Sequence, residues 1–111
     1  MGQITAHPEA VAELRAAIIF YDDKSPELGR RFFEEIDQMV ERVSAQPLFF
    51  SPRGGEVRRA NLKRFPFHIL YLTDDESVAI VAFAHDRRRP GYWKHRLPPV
   101  GQAASWPPFP A

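Results

Sequence analysis

Apolar residues recur at two different spacings along this chain, and the change falls near Pro47. Before it, Val11, Leu14, Ile18 and Tyr21 follow one another at intervals of three and four, which puts them on one stripe of a helix. Pro8 suits the first turn of that helix, and Asp22-Asp23-Lys24 end it, so a helix is predicted over about 8–23. Ser25-Pro26-Glu27 then supplies a capping hydroxyl, a proline at the first position and an acid in the first turn. Leu28, Phe32, Ile36, Met39, Val40 and Val43 make a second stripe, predicting a helix over about 26–45 that Gln46-Pro47 stops. Two amphipathic helices joined by a tight corner need a partner surface for their apolar faces.

After a loop over 48–55 containing Pro52, Gly54 and Gly55, the period shortens. Glu56–Leu62 alternates loosely, Phe67–Leu72 is strongly apolar behind Pro66, and Val78–Ala84 is nearly continuous, as expected of a strand covered on both faces. Strands are predicted over about 57–62, 66–73 and 77–85, with an acidic turn at Thr73–Glu76. Their short connections make them antiparallel neighbours. Residues 3–6 carry a weaker strand signal, and Tyr92–Arg96 fits one helical turn. The order β-α-α-β-β-β reads as an α+β domain, a helical hairpin packed on a small antiparallel sheet. Residues 97–111 differ: five are Pro, none is charged, and Trp106 and Phe109 stand among them, so an extended tail is expected beyond a domain of residues 1–96.

Charge changes this picture from a generic fold to a surface with a direction. The formal net charge of the 111 residues is only +1. Residues 1–52 hold five Arg or Lys against nine Asp or Glu, whereas residues 53–96 hold ten against five. The excess of cations gathers where strands end, at Arg87-Arg88-Arg89, with His85 just before and Tyr92-Trp93 just after. Such a cluster on a rigid platform fits an anionic partner, nucleic acid or an acidic peptide. The alternative is that these cations pair with carboxylates of the helices. The absence of cysteine excludes a disulfide framework, a thiolate metal site and a cysteine nucleophile, and agrees with a cytoplasmic setting. No segment reaches the ~18 apolar residues of a membrane span. The four His, at 7, 68, 85 and 95, have no metal-ligand spacing, and no phosphate-binding glycine loop or cofactor motif is present, so neither metal nor cofactor is expected.

One chemistry suits the cationic patch. Cleavage of RNA by its own 2′-hydroxyl needs a base, cations for the developing phosphorane charge and an acid for the leaving oxygen. His85, Arg87 and Tyr92 belong to the residue types that could supply them. His68, within a strand, reads instead as a satisfied, half-buried histidine, and Trp93 as a core residue.

Four blocks carry a resemblance: Glu13-Leu14-Arg15, SPELGRRF at Ser25–Phe32, LKRFPFHILY at Leu62–Tyr71 and AHDRRRPGYW at Ala84–Trp93. Together they resemble the RelE/ParE superfamily of toxins from type II toxin–antitoxin systems, most closely its ParE-like, plasmid-stabilisation branch, over roughly residues 8–96. That resemblance implies a cytoplasmic, growth-inhibiting toxin neutralised by a cognate antitoxin, which would fill an apolar groove. ParE-type members resemble inhibitors of DNA gyrase and are not enzymes; RelE-type members resemble ribosome-dependent endonucleases that cut mRNA. On the nuclease pattern Arg59 and Arg87 match, Asn61 and His68 replace strongly basic residues, and the aromatic position falls on Tyr92 or Trp93. The expected target-binding residues are therefore Arg64, Arg87, Arg88, Arg89, Tyr92 and Lys94. A nuclease would use Arg59, His85, Arg87 and Tyr92. A third reading is a degenerate, non-toxic member that only binds antitoxin or nucleic acid.

Overall fold

The computed structural model describes residues 3–53, 55–74, 77–97 and 103–109. Strand β1 (Gln3–Ala6) leads into helix α1 (Pro8–Lys24) and helix α2 (Pro26–Ala45). Strands β2 (Arg58–Asn61), β3 (Phe67–Thr73) and β4 (Ser77–His85) follow, then a single 3-10 turn at Lys94–Arg96 and strand β5 (Ala104–Ser105). Every predicted helix and strand is present; the acidic turn expected at Thr73–Glu76 lies partly outside the described residues.

Pro8 occupies the first turn of α1, and the His7 imidazole accepts a hydrogen bond from the Glu9 amide, so the helix starts where the apolar stripe does. At the corner between the helices, Gly29 is required by closeness. A Cβ there would run into the Asp22 carboxylate and sit 3.0 Å from the Ile18 carbonyl oxygen.

The sheet order is β2-β3-β4-β1-β5. The β2, β3 and β4 strands are antiparallel, as their short connections predict. β1 adds to β4 in parallel, with Gln3 opposite Ser77 and Ala6 opposite Ile80. The sheet is therefore mixed, because the helical hairpin carries the chain back over the sheet between β1 and the later strands.

β4 contains a bulge. Leu70 pairs with Ala82 but Tyr71 pairs with Ile80, which leaves Val81 as the extra residue. The bulge resets the alternation, so Val78, Ile80 and Phe83 all face the helices. There they join Leu14, Phe32, Ile36, Val40, Ile69 and Tyr71 in the main core. Tyr21, Phe32, Phe65 and Phe67 form its aromatic end, with ring centroids 4.9–6.2 Å apart. The opposite face of the sheet carries a smaller cluster of Val57, Leu70, Val81, Ala82, Ala84 and Trp93. Trp93 is 6% exposed and closes that cluster, as read from the sequence.

The described part of the tail is docked, with Ala104–Ser105 in a strand and bends at Trp106, Pro107 and Phe109. Ala104–Ser105 pair with β1, and Trp106 and Phe109 pack against the main core. Among the described residues no helix is long and apolar enough to cross a membrane.

Candidate functional site

β1 flanks β4 only as far as Ile80, where the His7 amide donates to the Ile80 carbonyl (2.9 Å) and α1 begins. Past that point no strand among the described residues lies beside the outer edge of β4. Two side chains take the strand's place. Glu13, on α1, accepts the Phe83 amide (3.1 Å), and Arg96, on the 3-10 turn, donates to the Val81 carbonyl (3.0 Å). The two are joined to each other by paired bonds of 2.9 and 3.0 Å. The Arg96 side chain is only 5% exposed, and that of Glu13 15%.

The same Glu13 carboxylate accepts the Tyr92 hydroxyl at 2.6 Å. Burial pushes the Tyr92 phenol up, and the bond to Glu13 pushes it further. Arg88 lies over the Tyr92 ring, 3.8 Å from its centroid. Gly91 allows the turn that brings these groups together, with φ at +77°. A chain of contacts thus runs from helix α1 out to the arginine cluster.

On the open side of the sheet these residues border a cleft of about 260 Å³, lined by Arg53, Arg59, His68, Arg88, Arg89 and Tyr92 among others. Its floor is His68, whose Nδ1 lies 2.8 Å from the Asp86 carboxylate. Burial lowers the His68 pKa; the Asp86 bond opposes this, and the Arg59 charge adds to the lowering. The imidazole is therefore neutral at pH 7. Arg59 donates to Asn61 (2.7 Å) and lies 3.6 Å from Asp86. The register explains the grouping, because Asn61 pairs with His68 and His68 with Ala84, so the start of β3 meets the end of β4. Four guanidinium groups around one cleft, with Asp86 as the lining carboxylate, make it a site for an anion.

The residues expected from sequence are not all here. Arg88, Arg89, Tyr92 and Arg59 line the cleft. Arg87 is exposed on the adjoining turn, where its amide donates to His85 Nδ1 (3.0 Å). Lys94 is exposed and runs alongside Gly91. Arg64 lies elsewhere, in a hollow of about 640 Å³ between α2 and the 63–65 loop, with Lys63, Arg31 and Arg42. The Glu35 carboxylate holds that loop by accepting the Lys63 and Arg64 amides. His85 is on the opposite face of the sheet from His68, edge-on to Phe67 with centroids 5.1 Å apart.

Sequence reasoning missed Arg53, the pairing of His68 with Asp86, and Glu13 as the anchor of Tyr92. His68 was read as satisfied, and it is; its place on the floor of the cleft depends on the β2-β3-β4 register. Among the described residues no three His, Cys, Asp or Glu side chains are grouped as a metal site.

Fold and cleft together define a small α+β protein that presents arginines from strand ends and the following turn. Comparison with known proteins makes that class specific. The sequence model of the family described as ParE toxin of type II toxin-antitoxin system, parDE, matches residues 4–90. The chain belongs to this family of toxins. It is 26% identical over 89 residues to the protein named Toxin ParE2 in Mycobacterium tuberculosis, strains CDC 1551 / Oshkosh and H37Rv, a match covering 79% of this chain and 85% of that protein. A solved structure titled "Chromosomal ParDE TA system from P. aeruginosa" shares the fold, with a TM-score of 0.67 at 21% identity over 77% of this chain and 96% of that one. The family match ends at residue 90, so the Tyr92–Arg96 corner and the docked tail lie beyond it.

Proposed function

We propose that this toxin inhibits growth by poisoning DNA gyrase, without catalysis of its own, and that a cognate antitoxin neutralises it. One observation carries the non-enzymatic reading. The nuclease set does not converge, since Arg59 faces the open side of the sheet while His85 packs on the helix side. Arg87 is exposed on the turn after His85, and Tyr92, the fourth member, has its hydroxyl committed to Glu13. Base, cation and ring cannot then surround one phosphate, which in-line RNA cleavage demands. The exposed arginines Arg87, Arg88 and Arg89 instead offer a charged contact surface to a macromolecular target.

A second reading has one observation in its favour. A neutral imidazole held by a carboxylate, in a cleft lined by four arginines, is the composition of a general base beside a phosphate. In that reading His68, absent from the nuclease set drawn from sequence, is the base of an RNA endonuclease.

The two readings separate in growing cells. After induction, thymidine incorporation should fall first, with filamentation, while amino-acid incorporation continues; purified gyrase should accumulate cleaved DNA in the toxin's presence. Prompt loss of amino-acid incorporation with DNA synthesis outlasting it would overturn the gyrase reading, and loss of that effect in His68→Asn would establish the nuclease.

A further inference from the structure

The tail shows what the outer edge of the sheet accepts. Ser105 and Ala104 pair antiparallel with Thr5 and Ala6 of β1, and the Trp106 amide donates to the Ile4 carbonyl (3.0 Å). The Trp106 ring enters a slot formed by Phe33 of α2 (centroids 6.1 Å, nearly parallel) and Phe83 of β4 (5.7 Å). Its indole N–H donates to Asp37 at 2.8 Å. Phe109 rests on Phe33 at 6.1 Å beneath the Arg15 guanidinium, 4.7 Å from its ring. Strand edge, aromatic slot, acceptor at the slot's end and cation over the last ring are four recognition features of a bound peptide. Here the peptide belongs to the same chain.

We infer that the β1 edge, with the Phe33–Phe83 slot and Asp37, is a peptide-docking surface that residues 103–109 hold closed. The partner it fits is an extended segment that pairs with β1 and presents an aromatic ring bearing a hydrogen-bond donor. That this segment is part of the antitoxin rests on the function proposed above; the surface itself does not. β5 covers two of the four residues of β1. Beyond those pairs the described tail adds the Trp106 bond to Ile4, so a partner strand long enough to pair with all four residues gains ladder contacts that the described tail residues do not make and can replace the tail. Without either occupant the edge would be an open template for chain-to-chain pairing.

The test uses the full chain. A fluorescein-labelled peptide AASWPPF, the sequence of residues 103–109, is titrated against the wild-type protein and against Trp106→Ala/Phe109→Ala, in which the resident tail loses its anchors. The peptide should bind the double variant at least tenfold more tightly than wild type, and AASAPPF should bind it at least tenfold more weakly than AASWPPF. Equal binding of AASWPPF to both proteins, with the variant keeping its wild-type circular dichroism, overturns the proposal. Should the variant not fold, hydrogen exchange of wild type decides. The Trp106 amide should exchange at least tenfold faster than amides between β3 and β4, reporting local release of the tail; equal protection makes the tail a fixed part of the core and overturns the proposal. A protein that passes these tests but does not inhibit growth loses only the proposed function, and one that inhibits growth but fails them loses only this inference.

Discussion

The two faces of the sheet are built for different purposes. The helix-covered face is a closed aromatic and aliphatic core, whose Leu14, Phe32, Ile36 and Ile69 are fully buried. The other face is covered by one short corner of chain, with Trp93 as its lid, and cations surround the part left open. A face packed on all sides fixes side chains but admits no partner. A face packed over part of its area can hold charged groups in place at its margin and still expose them. Charge and burial are thus divided across a single sheet, and the Glu13–Arg96 pair at the β4 edge ties the corner of the open face to α1.

That contrast can be broken in order of size. Phe32→Ala removes a ring touching Tyr21, Phe65 and Phe67 in the closed face. It should cost about 3–5 kcal/mol, a large part of the ~5–15 kcal/mol that holds a domain of this size together. Urea denaturation measures it, and a loss below ~1 kcal/mol would mean that the helix face is not the principal core.

Glu13→Ala should come close behind. It leaves the buried Arg96 guanidinium, the Phe83 amide and the Tyr92 hydroxyl without their shared acceptor. Breaking a buried ion pair costs about 3–5 kcal/mol, eased here by the Glu9 carboxylate 3.5 Å from Arg96, whereas Glu13→Gln, which keeps an acceptor, should lose less. Equal stability of Glu13→Ala and wild type in thermal melts would show that the corner is held by packing alone.

His68 sharpens the comparison through pH. Its folded pKa is lowered by burial, so below pH 6.5 the unfolded chain binds a proton that the folded chain resists. Stability from this group is complete above that pH and is lost as the pH falls through the lowered value. Denaturation midpoints should drop between pH 7 and pH 5, with a smaller drop in His68→Asn; identical slopes would place the titration elsewhere.

The smallest effect on the fold, and the largest on toxicity, is expected of Arg87→Ala/Arg88→Ala. Arg87 is exposed, and Arg88 loses its contact with the Tyr92 ring and a half-exposed ion pair with Glu13 at 4.0 Å, so stability should change by no more than about 1 kcal/mol. Growth inhibition on induction should fall sharply. Undiminished growth inhibition by the folded double variant would remove the pair from the target surface.

The helices, β3 and β4 were legible in sequence because each declares itself by spacing. The stripe from Leu28 to Val43 and the apolar run from Val78 to Ala84 need no tertiary information. What the pattern could not carry was long-range. Four residues of β1 are too few to show which strand they join, and nothing local announces that Val81 is a bulge. Ala104-Ser105 has no strand signature; β1 makes it one. The same limit divided the candidate site. Arg88 and Arg89 were visible as a run, while His68 reached them through a register, Glu13 lies 79 residues from Tyr92 in the chain, and His85 fell on the wrong face because alternation along β4 sends it there.

The parallel pairing of β1 with β4 also sets an order of events in time. Gln3 is synthesised well before Ser77, the residue it pairs with. At about 5–20 residues per second the strand waits roughly 4–15 s for the segment it joins. The helical hairpin closes through short loops and can form meanwhile, but joining β1 to the sheet that carries the arginine cluster requires a much longer loop closure. A growing chain therefore has its helices before it has its cationic face, and a ribosome that stops short of β4 releases a fragment without that face.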